Sequence, residues 1–180
     1  MEEWWEFRLA LELAPKNLGE IFPLLWWFRS IWLWVPLIGV IWINDFINAS
    51  GSWYRTSFLP FCLVFLLSIG SLLAKLTIPH PPCDFLKIQE LIPHGFYFCE
   101  GMGGLPEINS LLMSGLLGYS ILFCSFSGRI WLIGITAMGM ILSGLASILL
   151  VQAFVSDVLA AWVLGILLTF VLQKLLRRLI

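Results

Sequence analysis

Lys75 and Asp157 stand at the edges of long apolar runs, and an ionisable group near membrane depth is costly enough to mark a site unless something simpler accounts for it. A lysine there can neutralise a bound anion, and an aspartate can orient a base. Each also has a structural explanation. Lys75 can snorkel to the interface, and Ser156 or Asp157 can cap the first turn of a helix and complement its dipole. The two histidines, His80 and His94, share a polar loop with Asp84, Glu90 and Glu100. No H-x-x-H, H-x3-H or C-x-x-C spacing accompanies them, so no metal or other cofactor is expected, and His94 between Pro93 and Gly95 reads as a turn. Gly101, Gly103 and Gly104 could offer backbone amides to an anion, although glycine clusters are equally common in turns. There is no G-x-S-x-G elbow and no phosphate-cradling P-loop. Cys62 and Cys124 lie in apolar runs, where free cysteine behaves as a small hydrophobe. Cys83 and Cys99 bracket the polar loop, and a disulfide between them is expected only if that loop faces an oxidising compartment; spacing alone fixes neither geometry nor redox state.

The elements that must position these residues are helices in a bilayer. Of 180 residues, 60% are hydrophobic and 12% charged, about half the charge of an ordinary soluble domain. A net charge of -1 leaves no basic surface for nucleic acid. Crossing the hydrocarbon core takes about 20 apolar residues, and five runs approach that length. They cover Leu24 to Ile43, Phe58 to Ile78, Ser110 to Phe126, Ile130 to Val151 and a shorter one from Val158 to Leu172. The reading is an all-α integral membrane protein: five transmembrane helices in a compact bundle, a single domain over residues 1–180. Residues 1–20 form an interfacial element, in which Trp4, Phe7, Leu11 and Ala14 share a helical stripe, with a simple extension of the first span as the other reading. Met1 to Glu6 lack the positive start of a cleavable signal, so the mature chain is expected to keep them.

Arg55, Arg129, Lys174, Arg177 and Arg178 all fall on one side of a five-span arrangement, which the positive-inside rule makes cytoplasmic. The C-terminus is then inside, and residues 79–109 form an extracytoplasmic loop on the same face as the turn between the last two spans. The chain is expected in a cell (inner) membrane, in contact with membrane lipids. Ten tryptophans, several at span ends, fit aromatic belts. Gly115 with Gly118, and Gly139, Ser143 and Ser147 at four-residue spacing, allow close helix approach. A transporter is disfavoured because no internal pseudo-symmetry or broken helix pair is visible.

Two stretches resemble a known family. The chain reads Pro79-His80-Pro81-Pro82-Cys83, then a loop, then Cys99-Glu100-Gly101-Met102-Gly103-Gly104-Leu105-Pro106-Glu107-Ile108-Asn109-Ser110, and later Ser156-Asp157-Val158-Leu159-Ala160-Ala161-Trp162 with Gly165. In order and in placement relative to the apolar runs these resemble the three motifs of the type 2 phosphatidic acid phosphatase family: K-x6-R-P, P-S-G-H and S-R-x5-H-x3-D. The similarity covers the organisation of roughly residues 30 to 170, and about 40 positions in detail.

The resemblance implies a helical membrane fold with the chemistry removed. The family's nucleophilic histidine corresponds to Ala153, and the aspartate that orients it to Asp157. The histidine that protonates the leaving oxygen corresponds to Asn109, an amide with no proton to give near neutral pH. The third-motif arginine corresponds to Ser147 and its preceding serine to Ala146; the first-motif arginine falls at Pro81 or Pro82, and its lysine at Lys75 in one of the two registers. Phosphoryl transfer depends on positioning and on cations that neutralise the equatorial oxygens, so no residue is expected to be catalytic. The expectation is a pseudoenzyme that binds a lipid phosphate or a membrane-protein partner, with a degenerate site on the extracytoplasmic face. Glu107 in place of a small serine adds negative charge where phosphate would sit. The alternative is an active lipid phosphate phosphatase hydrolysing phosphatidate or polyprenyl pyrophosphate.

Overall fold

A computed structural model describes residues 12, 18–48, 53–76, 106–123, 129–150 and 152–179. Six helices follow in order: α1 (Leu18–Arg29), α2 (Ile31–Asn48), α3 (Trp53–Leu76), α4 (Ile108–Phe123), α5 (Arg129–Leu149) and α6 (Val155–Leu179). No strand occurs among the described residues. The apolar stretches Pro23–Ile43, Ser57–Leu76, Ile130–Leu149 and Val155–Leu176 are each long and apolar enough to cross a membrane, and Ile108–Leu122 is a shorter apolar helix. The chain is an all-α membrane bundle, and each of the five apolar runs in the sequence is helical over its described residues, the first with a break at Ser30.

Two elements differ from the sequence reading. The first span is not one helix: it breaks at Ser30 into α1 and α2. Ser30 donates its N–H to the carbonyls of Trp26 at 2.9 Å and Trp27 at 3.1 Å. Its hydroxyl accepts the N–H of Trp32 at 3.3 Å, so it serves as the N-cap of α2. The Trp34 indole N–H closes the joint on the Phe28 carbonyl at 3.2 Å. The last span is also longer than expected, because α6 runs on through Gln173 and Lys174 to Leu179. The expected N-terminal interfacial helix lies outside the described residues, apart from helical, exposed Glu12 and the start of α1 at Leu18. Most of the 79–109 loop is outside them as well.

The core is built around α4. Every residue from Ser110 to Ser120 is buried, which fits a helix that is apolar on all sides and is sheathed by protein instead of lipid. Its largest partner is α6, followed by α5, with α3 next and α1 lying against α5. Tyr119, Leu116, Met113, Leu66, Leu59 and Ile41 fill the interior, and the Phe58 and Tyr119 rings stack at 5.9 Å. By contrast α2 presents Trp32, Val40, Phe46 and Ile47 outward, as a lipid-facing helix does.

Helices α4 and α6 start at the same end of the bundle and run parallel, with α5 antiparallel between them. The register is fixed along the whole contact. The Glu107 N–H meets the Asp157 carbonyl, Ser114 Oγ donates to the Ala161 carbonyl at 3.0 Å, and Thr169 Oγ1 reaches the Gly115 carbonyl at 3.4 Å. Gly165 is what permits this approach: a methyl group placed there would collide with Ser114 Oγ and sit 2.5 Å from the Leu111 carbonyl oxygen.

Candidate functional site

The candidate site is the corner where α4 and α6 begin. A helix start leaves backbone N–H groups without intrahelical partners, and at this corner the chain supplies them from its own carboxylates. In α4, Glu107 is the N-cap: its carbonyl accepts the Leu111 N–H at 3.0 Å and its carboxylate Oε2 accepts the Ser110 N–H at 2.5 Å. Glutamate is not a favoured N-cap, but its longer side chain folds back to the third residue of the helix as a shorter one would. In α6, the Phe154 carbonyl accepts the Val158 N–H at 3.2 Å, and Asp157 Oδ2 accepts the Phe154 N–H at 3.1 Å. This is one half of a capping box, with the carboxylate at the third helical position reaching back to the cap. The Glu107 N–H donates to the Asp157 carbonyl at 3.5 Å and joins the two starts.

Both carboxylates are nearly buried, each side chain's residue being 8% exposed. Asn109 Nδ2 donates to Glu107 Oε1 at 3.2 Å. Arg29, at the end of α1, brings its Nε to 3.9 Å from the same oxygen, and its guanidinium lies over the Trp26 ring at 5.5 Å. Among the described residues the Glu107 carboxylate has the Asn109 amide and the Arg29 guanidinium beside it, and each carboxylate lies at a helix start whose dipole favours it.

The connection from α5 completes the corner. Gln152 and Ala153 both donate their N–H groups to the Ser147 carbonyl, at 3.0 and 3.3 Å. The Ala153 methyl is buried in a small apolar cluster with Ile148 and Val158, against the partly buried Val155 and Trp162. The Ser147 hydroxyl is fully buried and has no hydrogen-bond partner.

Of the residues singled out from the sequence, Asn109, Ser147, Ala153 and Asp157 thus belong to one corner, tied together through backbone and side-chain hydrogen bonds. The capping role open to Asp157 is the one it performs. Lys75 lies in the last turn of α3, exposed, at the same end of the bundle, since Gly70 one to two turns earlier packs on Leu111 and Ile108. Pro81, Pro82, Cys83, Cys99, His80 and His94 lie outside the described residues. Among the described residues no group of three or more His, Cys, Asp or Glu side chains gathers closely enough to hold a metal.

The sequence reading passed over Arg29. Its signal was present: it is the one charged residue between Pro23 and Ile43, and an arginine inside an apolar run calls for an acidic partner. Chemically, the described corner offers two engaged carboxylates, an amide, a guanidinium and hydroxyls. It has no imidazole to activate a hydroxyl or protonate a leaving group. No protein-family model, no curated protein and no solved structure matches this chain.

Proposed function

We propose that this chain is a non-enzymatic membrane protein that shares the frame of the type 2 phosphatidic acid phosphatases and acts by binding another membrane protein. One observation carries the reading: the Glu107 carboxylate occupies the start of α4, bonded to the Ser110 N–H and the Asn109 amide, beside the start of α6 where Asp157 reaches back to the Phe154 N–H. A helix N-terminus is a ready anion site, and here Glu107 fills that of α4 while Asp157 adds a carboxylate in the first turn of α6. Among the described residues of the corner a phosphate finds no imidazole to attack it.

In this proposal the corner faces the extracytoplasmic side of a cell membrane. Support comes from the opposite end of the bundle, where α5 begins at Arg129 and α6 ends with Lys174, Arg177 and Arg178, the basic asymmetry expected of a cytoplasmic face.

The test is phosphate release from phosphatidate and from polyprenyl pyrophosphate by the purified protein in vesicles. The expected result is no release above protein-free vesicles. Release that Asp157→Ala abolishes would overturn the proposal in favour of an active lipid phosphate phosphatase. The shared frame has its own test. Ser147→Arg, Asn109→His, Ala153→His and an arginine at 81 or 82, introduced together, remain inert while Glu107 is present and gain phosphate release once Glu107→Ser is added; continued inertness then counts against the alignment.

A further inference from the structure

Among the described residues, five buried side-chain polar atoms have no hydrogen-bond partner: Arg29 Nε, Ser110 Oγ, Ser143 Oγ, Ser147 Oγ and Trp162 Nε1. The three serines are 0% exposed. A serine in a helix ordinarily returns its hydroxyl to a carbonyl three or four residues back, and a buried one left without a partner is costly. These three point to the same place. On α4, Met113 faces α5, packing where Gly139 approaches, and Ser114 faces α6, bonding to Ala161. At about 100° per residue, Ser110 falls between those two directions, about 60° from the first and 40° from the second. On α5, Gly139 faces Met113 of α4 and Trp34 of α2, and Gly144 faces α6, where an added methyl would meet Val158 Cγ1 and Trp162 Cζ2 at 2.7 Å. Ser143 and Ser147 fall between these directions by the same count. All three hydroxyls therefore face the axis shared by α4, α5 and α6.

Their heights agree too. Ser110 and Ser143 each stand about one turn above the Met113–Gly139 contact, toward the Asp157 end, and Ser147 about one turn higher, beside the connection into α6. The indole edge of Trp162 lies on Gly144 at the same level. Below, Leu117 continues the Ser110 row and Thr136 the Ser143 row; the first is apolar and the second bonds to the Leu132 and Ile133 carbonyls.

We propose that α4, α5 and α6 enclose a polar chamber beneath the Glu107–Asp157 corner that takes neutral molecules bearing acceptor oxygens, water or a small polyol. The unpartnered atoms decide the chemistry. Trp162 Nε1 can only donate and the serine hydroxyls can donate or accept, so a guest bearing acceptor oxygens suits them all. The guest is neutral because the hydroxyls and the indole N–H carry no charge to pair with a buried ion. A guest with two to four hydrogen-bonding contacts here restores what the buried hydroxyls lack. The chamber is independent of the phosphatase-like frame and of the absence of catalysis.

The experiment is cysteine accessibility in vesicles, in a chain with Cys62, Cys83, Cys99 and Cys124 changed to alanine. Ser143→Cys and Ser147→Cys are compared with Ser114→Cys and Thr136→Cys from the deeper half, using cationic, neutral and anionic methanethiosulfonates of similar size. The expected result is that the neutral reagent labels the two upper positions at least about ten times faster than the deeper ones, that the anionic reagent is slower than the neutral one at Ser147→Cys, and that molar glycerol slows labelling. Equal reactivity at all four positions, or fastest labelling by the anionic reagent, overturns the proposal. A second measurement uses the unsubstituted protein. Radiolytic hydroxyl labelling marks Trp162 and spares Tyr119, which is wholly buried in the deeper half; a Trp162 as unmarked as Tyr119 also overturns it.

Discussion

Buried hydroxyls on the same helices behave differently in the two halves of this bundle. In the deeper half, Ser114 bonds to the Leu111 and Ala161 carbonyls, Ser120 to Leu116, Thr136 to Leu132 and Ile133, and Thr169 to Gly165 and Gly115. In the half beneath the Glu107–Asp157 corner, Ser110, Ser143 and Ser147 are equally buried and bond to nothing in the protein. Residue type and exposure are the same, so composition does not explain the difference. Each satisfied hydroxyl returns to a carbonyl of its own helix three or four residues back, and Ser114 and Thr169, where Gly165 brings α4 and α6 together, also reach across to the other helix. The three serines under the corner do neither.

The largest effect is expected from breaking the deeper half. Gly165→Leu would drive a side chain into Ser114 and the Leu111 carbonyl and force α4 from α6, at a cost of about 3 kcal/mol or more by analogy with overpacked cores. A large fall in the thermal midpoint in detergent is the readout. If the helices have parted, adding Ser114→Ala costs nothing further, because its bond across to Ala161 is already lost.

The corner comes next. Glu107→Ala removes the cap of α4 and the partner of Arg29, and an expected loss of about 1–2 kcal/mol follows from the cap alone. At 3.9 Å the pair is too long for a hydrogen bond, yet Arg29 is 18% and Glu107 8% exposed, so a double-mutant cycle of Arg29→Gln against Glu107→Gln should give a coupling of about 1 kcal/mol. A coupling several times larger would make Arg29 the main anchor of the first span.

How much of this was legible in the sequence depends on what each feature rests on. The helices follow from apolar runs, and a run of sufficient length has few alternatives in a bilayer. The small residues at 115, 139, 143 and 147 announced close packing, but not which hydroxyls would be satisfied, because that depends on how each side chain is turned in the packed bundle. Asp157 could be recognised as a cap from its position at a helix start. Glu107 was read as a charge misplaced in a phosphate site; its role as the N-cap of α4 rests on a side chain folding back on its own helix, which no residue pattern for N-caps includes. Arg29 and the break at Ser30 were missed for one reason: both lie inside an apolar run, where the length of the run outweighed the two polar residues in it.

A smaller pair of substitutions sharpens the contrast most directly. Ser114→Ala, at the α4–α6 contact, is expected to cost about 0.5–1.5 kcal/mol for its lost hydrogen bonds. Ser143→Ala has three distinguishable results. If a mobile water serves the hydroxyl, stability changes by less than about 0.5 kcal/mol. A dry, unpartnered hydroxyl would make the substitution stabilising by about 1 kcal/mol or more. A loss as large as that at Ser114 would mean that the hydroxyl bonds to protein after all and that the two halves do not differ.

A small effect is expected from removing only the charge of Asp157, and its size bears on the nature of the corner. Asp157→Asn keeps an oxygen that can accept the Phe154 N–H and gives up only the charge beside the α6 dipole, so a loss of about 0.5 kcal/mol is expected. Asp157→Ala, which gives up the acceptor as well, should lose about 1 kcal/mol. That ordering belongs to a capping carboxylate, whose hydrogen bond matters more than its charge. If instead the asparagine variant is the more stable form, by melting in detergent, the charge is a burden in the folded protein. That outcome would mean that the crowding of Asp157 with Glu107 outweighs the helix dipoles, and that the corner is built to receive a cation which the capping bonds alone do not reveal.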